Sequence, residues 1–245
     1  MLKLYRADVT EPDSAWREAH ILKLLASSQL PVPRTVALDR DGSEAGMAAL
    51  LMSRMPGRRR MRPREIDPWL QELAAVAARI HALPITQSDL PRYGLWGLDD
   101  PLPVPDWWTD AGVWRAAVEV FRGPAPDEPM CFIHRDFHYG NVLWRGGHVS
   151  AIVDWLHGCW GPASADLAHC RINLWFDHGP AAAQGWLDAY REINPGMIPY
   201  NRYWDIADAM SWHMDPKRDG LDRARRYESF ITAAIGVVAA PNDRQ

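Results

Sequence analysis

His134, Arg135 and Asp136 are followed, five residues after the Asp, by Asn141, and thirteen residues beyond Asn141 stands a second carboxylate, Asp154. A carboxylate, an amide and another carboxylate at such intervals are the parts of a phosphoryl-transfer site. One carboxylate accepts the proton of an attacking hydroxyl, while the amide oxygen and the other carboxylate hold Mg²⁺ against the phosphates. Magnesium takes oxygen donors and few protein ligands, so Asn141 beside Asp154 suits it. A lone Asp in a loop is usually a cap or a turn residue. Here the polar groups recur between apolar runs: Met130 to Ile133 before the loop, Val142-Leu143-Trp144 after it, and Ala151-Ile152-Val153 before Asp154. His134, Asp136, His138, Asp154 and His157 also admit a rival reading as a zinc or manganese hydrolase cluster. That chemistry requires neither Asn141 nor the segment from Gly161 to Asp166.

The His134-Arg135-Asp136 run with its Asn resembles the protein-kinase catalytic loop. Its flanks are more similar to the aminoglycoside phosphotransferase family, small-molecule kinases that share the protein-kinase fold. Where protein kinases carry Asp-Phe-Gly this chain has Asp154-Trp155, and Gly161-Pro162-Ala163-Ser164-Ala165-Asp166-Leu167-Ala168 resembles the family's Gly-x-x-x-x-Asp-x-Ala segment. The resemblance implies that Asp136 is the catalytic base, that Asn141 and Asp154 hold Mg²⁺, and that ATP is the donor. It further implies that Asp166 accepts backbone N–H groups of the catalytic loop and that His134 holds the loop by hydrogen bonds. Leu2-Lys3-Leu4-Tyr5-Arg6 is similar to the strand bearing the phosphate-contacting Lys, and Arg17-Glu18-Ala19 to the helix whose Glu pairs with it. Ser53 to Gly57 resembles the hinge, where adenine would bond to backbone at Ser53 and Met55.

The family's Gly-rich loop would precede the Lys strand, and Lys3 has no such segment before it. The expectation is therefore a start codon upstream of Met1, or a truncated chain. On the second reading the alternative function is a non-catalytic kinase-like remnant that binds a ligand or partner. Asp177, Asp188, Glu192, Asp205 and Asp208 fall where that family builds its acceptor pocket. Carboxylates there would suit a cationic acceptor, whereas the interspersed Arg191, Arg202, Lys217 and Arg218 oppose it. The acceptor class stays open among an aminoglycoside-like compound, another antibiotic and a metabolite.

Elements that could position these groups follow from pattern. Leu2 and Leu4 alternate with Lys3 and Tyr5 as in a strand. Asp13 or Ser14 is expected to cap a helix in which Trp16, Ala19, Leu22 and Leu25 or Ala26 share a face. Asp41-Gly42 reads as a hairpin turn, residues 58–68 as a polar connector, and helices are expected from about 69 to 83 and 110 to 121. Gly146-Gly147 turns a hairpin, and Ser164 to Val238 reads as helices broken at Gly179-Pro180, Asn194-Pro195 and Asp215-Pro216. The expected fold is α+β and protein-kinase-like. A small β lobe, 1–57, would hold nucleotide, and a mainly helical lobe, 58–245, would carry catalysis and the acceptor.

Composition excludes several classes. The 245 residues are 47% hydrophobic, enough for a sizeable core. A net charge of −4 and an isoelectric point near 6.1 argue against a nucleic-acid surface. No stretch reads as a signal peptide or membrane span. Three cysteines without a Cys-x-x-Cys pair suit a reducing cytoplasm. The expected partners are a nucleotide and a small hydroxyl compound, with the protein a monomer or weak dimer.

Overall fold

The structure is a computed structural model that describes residues 1–6, 11, 13–87, 90–212 and 214–238. The first strand, β1 (Leu2–Leu4), lies beside β3 (Ala49–Met52), which pairs on its other edge with β2 (Thr35–Asp39), all antiparallel. Helix α1 (Ser14–Leu25) packs across this sheet. Its buried face runs through Ala15, Glu18, Leu22 and Leu25. Trp16 instead lies outside, stacked on His20 with the Arg40 guanidinium over its ring. The expected apolar face is thus rotated, because Glu18 must turn inward to meet Lys3. The Asp13 side chain does not cap α1; it bonds the Arg40 guanidinium at 2.7 Å. The hairpin between β2 and β3 opens into a loop over residues 40–48. There the Asp39 carboxylate accepts the N–H groups of Gly42, Glu44 and Ala45.

The connector after Gly57 is not all loop. Its β4 (Arg58–Arg59) joins a second sheet beside β6 (Val142–Arg145), which hairpins into β7 (His148–Ile152). Helix α2 (Ile66–His81) begins ahead of the expected position with Pro68 in its first turn, where a missing N–H costs nothing. Helix α3 (Ala111–Arg122) is capped by Asp110, whose carboxylate accepts the Gly112 N–H at 2.8 Å. Trp108 packs edge-on against Trp107 and Trp114, as their clustering suggests. Strand β5 (Met130–Ile133) pairs with β8 (Cys159–Pro162). At Gly161 in β8 a Cβ would stand 2.6 Å from Ile133 Cδ1 and 2.8 Å from Tyr93 Cβ, so any larger residue would force its neighbours to shift.

The remaining elements are helical: α4 (Ala163–His178), α5 (Pro180–Ile193), α6 (Tyr203–Met210), α7 (Pro216–Asp219) and α8 (Leu221–Val238). The breaks fall at the Pro residues, which open α5 and α7. Helix α4 is buried nearly all round, wedged among α5, α6, α8 and β5. Residues 239–245, the end of the expected larger lobe, lie outside the described residues.

Candidate active site

Strand β5 runs through buried Phe132 and Ile133 and delivers its loop against the first turn of α4. There Asp166, fully buried, accepts the His134 N–H at 2.8 Å and the Arg135 N–H at 2.6 Å. Its third donor is His81, whose Nε2 lies 3.1 Å away and whose Nδ1 meets the Tyr190 hydroxyl. Buried N–H groups need such an acceptor, and the N-terminal end of α4 favours its negative charge. Arg135 is left-handed, φ 67°, and its guanidinium stacks 3.7 Å from the Trp96 ring centre. The kink points the chain into Asp136. His134 Nδ1 accepts the Asp136 N–H at 3.3 Å, so Nε2 carries the proton and donates to Val153 O at 3.1 Å.

The Asp136 carboxylate is held on both oxygens. Asn141 Nδ2 donates to Oδ2 at 2.8 Å, and His169 Nε2 stands 3.0 Å from Oδ1. Burial alone would raise the Asp136 pKa, but the hydrogen bond and charge of His169 outweigh it and hold the carboxyl well below the usual range. His169 Nδ1 faces Asp208 Oδ1 at 3.1 Å. Burial disfavours the imidazolium; the Asp208 and Asp136 carboxylates outweigh that and raise its pKa well above the ordinary value. His138 goes the other way, pushed down to about 4 by burial and by the charge of His169.

Asn141 and Asp154 stand at neighbouring strand ends, since Val142 pairs with Ile152 and Val153 donates its N–H to Asn141 O at 2.9 Å. Asp154 is left-handed, φ 70°. Its Oδ1 meets Lys3 Nζ at 2.6 Å, and the same ammonium reaches Glu18 Oε2 at 2.7 Å. Burial would lower the Lys3 pKa; Glu18 and Asp154 outweigh it, and the net shift is upward. Glu18, buried, also accepts the Tyr5 hydroxyl and the Trp155 N–H. Residues from β1, α1 and the segment after β7 therefore converge on one point. The donor set fits magnesium: Asn141 donates through Nδ2, leaving its Oδ1 for a cation, and Asp154 keeps Oδ2. Among the described residues no three or more His, Cys, Asp or Glu side chains gather as the ligand set of the hydrolase reading would. His134 is spent on backbone, and His157 packs edge-on against Trp96.

The hinge and acceptor residues are placed more unevenly. The Ser53 N–H donates to Arg34 O at 2.8 Å, so an adenine could use the carbonyl of Ser53 but not its N–H; Met55 lies two residues on. Of the five acidic acceptor candidates only Asp208 reaches the site. It lines a cavity of about 320 Å³ with Tyr93, Trp96, Arg135, His169 and Trp212. Asp205 is instead buried inside the helical body, bonded to Arg171 at 2.9 Å, Tyr200 at 2.6 Å and Arg202 at 2.8 Å. Asp177 accepts the Tyr139 hydroxyl, Asp188 pairs along α5 with Gln184 and Arg191, and Glu192 is exposed. The pattern of the sequence did not single out His169. Its only signal was position, three residues after Asp166 and hence on the same face of α4.

This α+β arrangement is the protein-kinase-like fold of the aminoglycoside phosphotransferases. The profile of the phosphotransferase enzyme family matches residues 1–219, and the chain belongs to that family. Homoserine kinase of Pseudomonas aeruginosa, strain UCBPP-PA14, is 29% identical over 201 residues, 75% of this chain and 62% of that kinase. Acyl-CoA dehydrogenase family member 10 of Mus musculus is 27% identical over 194 residues, 70% of this chain and 18% of that protein. The chain thus spans less than two thirds of these curated relatives. Among solved structures, a thermostable mutant of an aminoglycoside phosphotransferase in ternary complex with ADP and hygromycin B superposes with a TM-score of 0.68. It is 19% identical, with 94% of this chain and 85% of that one covered. A streptomycin–ATP ternary complex of another phosphotransferase gives 0.55 at 16% identity, over 86% and 73% of the two chains. At these identities the likeness to solved structures shows the fold alone, and the family membership rests on the match over residues 1–219.

Proposed function

We propose that this protein transfers the γ-phosphoryl group of ATP to a hydroxyl of a small molecule. The observation that carries the reading is the convergence at Asp154 of Lys3 and Glu18 beside the Asp136–Asn141 pair, from segments up to 151 residues apart. Adenine would lie at the hinge, on the Ser53 carbonyl and the Met55 N–H. Lys3, oriented by Glu18, would exchange its contact with Asp154 for the α- and β-phosphates. Asn141 Oδ1 and Asp154 would hold Mg²⁺, which supplies charge neutralisation across the phosphates. Asp136 orients the acceptor hydroxyl in line with the γ-phosphorus. As the new O–P bond forms and the bond to ADP breaks, the hydroxyl proton passes to Asp136. A strongly acidic carboxyl is a weak base, so its work is chiefly orientation, with proton acceptance late, as suits a loose transition state.

The acceptor would enter from the cavity lined by His169, the ring that bonds Asp136. Its lining combines the aromatic rings of Tyr93, Trp96 and Trp212 with Arg135, His169 and one carboxylate, Asp208. The test is transfer of ³²P from Mg·ATP to a panel of hydroxyl compounds that includes aminoglycosides and homoserine, the acceptors suggested by the relatives. Wild type should label at least one compound and Asp136→Asn none, while both bind Mg·ADP. Nucleotide binding without transfer to any compound would favour the non-catalytic reading. Equal turnover by Asp136→Asn would remove Asp136 from its role.

A further inference from the structure

A carboxylate that must face an incoming hydroxyl needs a fixed rotamer. Asn141 bonds Asp136 Oδ2, but it belongs to the same loop, five residues on, and moves with it. His169 and Asp208 belong to the helical body, on α4 and α6, which pack against each other. They are the link between Asp136 Oδ1 and that rigid frame. Asp208 shows what it is there for. Its Oδ1 is spent on His169, while its Oδ2 is buried without a hydrogen-bond partner. A carboxylate oxygen out of water and without a partner is costly. A ring with a carboxylate on each nitrogen must donate from both.

We propose that His169, clamped by Asp208, is the positioning residue of Asp136: a doubly protonated ring that aims the carboxylate toward the cavity and keeps a positive charge beside the reacting hydroxyl. The proposal rests on Asp136 being the base. The groups that face the ring are Asp136 and His138 from the catalytic loop, Asn173 one turn along α4, Asp208 on α6 and Trp212 beyond it. His138 is edge-on at 5.8 Å and held neutral, so it adds no competing charge. His169 and Asp208 line the cavity, so an acceptor seated there would touch the clamp, whose ring bonds Asp136 directly. Loss of the clamp would therefore act on turnover and leave nucleotide binding at Lys3 and Asp154, neither of which contacts the clamp, little changed.

The full chain, labelled with ¹⁵N-histidine, tests the ring directly, with the His169 signals identified by their loss in His169→Phe. Near pH 7 both ring nitrogens should be protonated in the wild type, and Asp208→Asn should lower the proton affinity by about tenfold or more. Turnover of Mg·ATP, with water as acceptor or with a compound from the panel, tests the positioning. Misplacement of a reacting group by about 1 Å costs on the order of 10²-fold. His169→Phe and Asp208→Asn should thus lose roughly that much kcat with little change in KM for ATP. His169→Gln, whose amide can still donate to Asp136, should recover part of the loss. A wild-type ring carrying one proton near pH 7, or a His169→Phe enzyme with unchanged kcat, would overturn the proposal. If Asp136→Asn kept full turnover, the base assignment would fall instead, while the two-carboxylate clamp would still be read by the NMR signals.

Discussion

Asp166→Ala is the sharpest perturbation of the site that leaves every reacting group in the chain. Asp166 is fully buried and accepts two backbone N–H groups, at 2.8 and 2.6 Å, together with the ring of His81 at 3.1 Å. Truncation leaves the two N–H groups buried and unpaired, at ~1–3 kcal/mol each. His81 retains the Tyr190 hydroxyl and loses less. Against this, Arg135 is held left-handed at φ 67°. That conformation costs a non-glycine residue ~1–2 kcal/mol, which relaxation of the loop would return. A net destabilisation of about 3 kcal/mol remains, equivalent to a fall in Tm of roughly 6–12 °C for a chain of this size. Asp166→Asn should cost less, since its amide oxygen still serves one N–H while its NH₂ opposes the other. Circular dichroism melts give the stability, and hydrogen exchange at His134 and Arg135 reads the loop. A Tm within about 2 °C of wild type, with unchanged protection at both amides, would refute the bracing role.

The remaining predictions are separate in their physics. Asp154→Ala should abolish the Mg²⁺ dependence of ADP binding, measured by calorimetry with and without the metal; an unchanged metal dependence would move the Mg²⁺ site elsewhere. Arg171→Met should cost ~1.5–3 kcal/mol, because the buried Asp205 carboxylate loses one of its two guanidinium partners and keeps Arg202 and Tyr200. Arg171→Met with Asp205→Leu should regain much of it, and equal losses in urea melts would contradict the pairing. Burial pushes the Cys131 and Cys159 thiols up to about 12 and Cys170 well above its ordinary value. At pH 8 the thiolate fraction at pKa 12 is on the order of 10⁻⁴, so thiol reagents should react slowly until the protein is unfolded. Rapid labelling of the native protein would show that these thiols open to solvent.

The helical breaks, the long α2 helix and the hairpin from Val142 to Ile152 were readable because each rests on local chemistry: Pro cannot continue a helix, and period-2 apolar runs make strands. The face of α1 was not. Apolar periodicity pointed Trp16 inward, and the ion pair of Glu18 with Lys3 turned it out. Asp205 and Asp208 illustrate the same limit in the site. Three residues apart on one short helix, they look alike in sequence, yet one is consumed by Arg171 and the other faces His169.

What the sequence by itself determined is which polar groups residues 134–154 bring together. Carboxylate, amide and carboxylate sit in one short stretch, and a hairpin between them brings Asn141 and Asp154 together by local pairing alone. What only the tertiary structure decided is which distant groups complete that set. Lys3 meets Asp154 across 151 residues, His81 meets Asp166 across 85, and Asp136 meets a ring clamped from α6. Such contacts depend on how helices and sheets pack against one another. Periodicity shows which residues of a helix share a face; which carboxylate lies opposite that face is decided when the core closes.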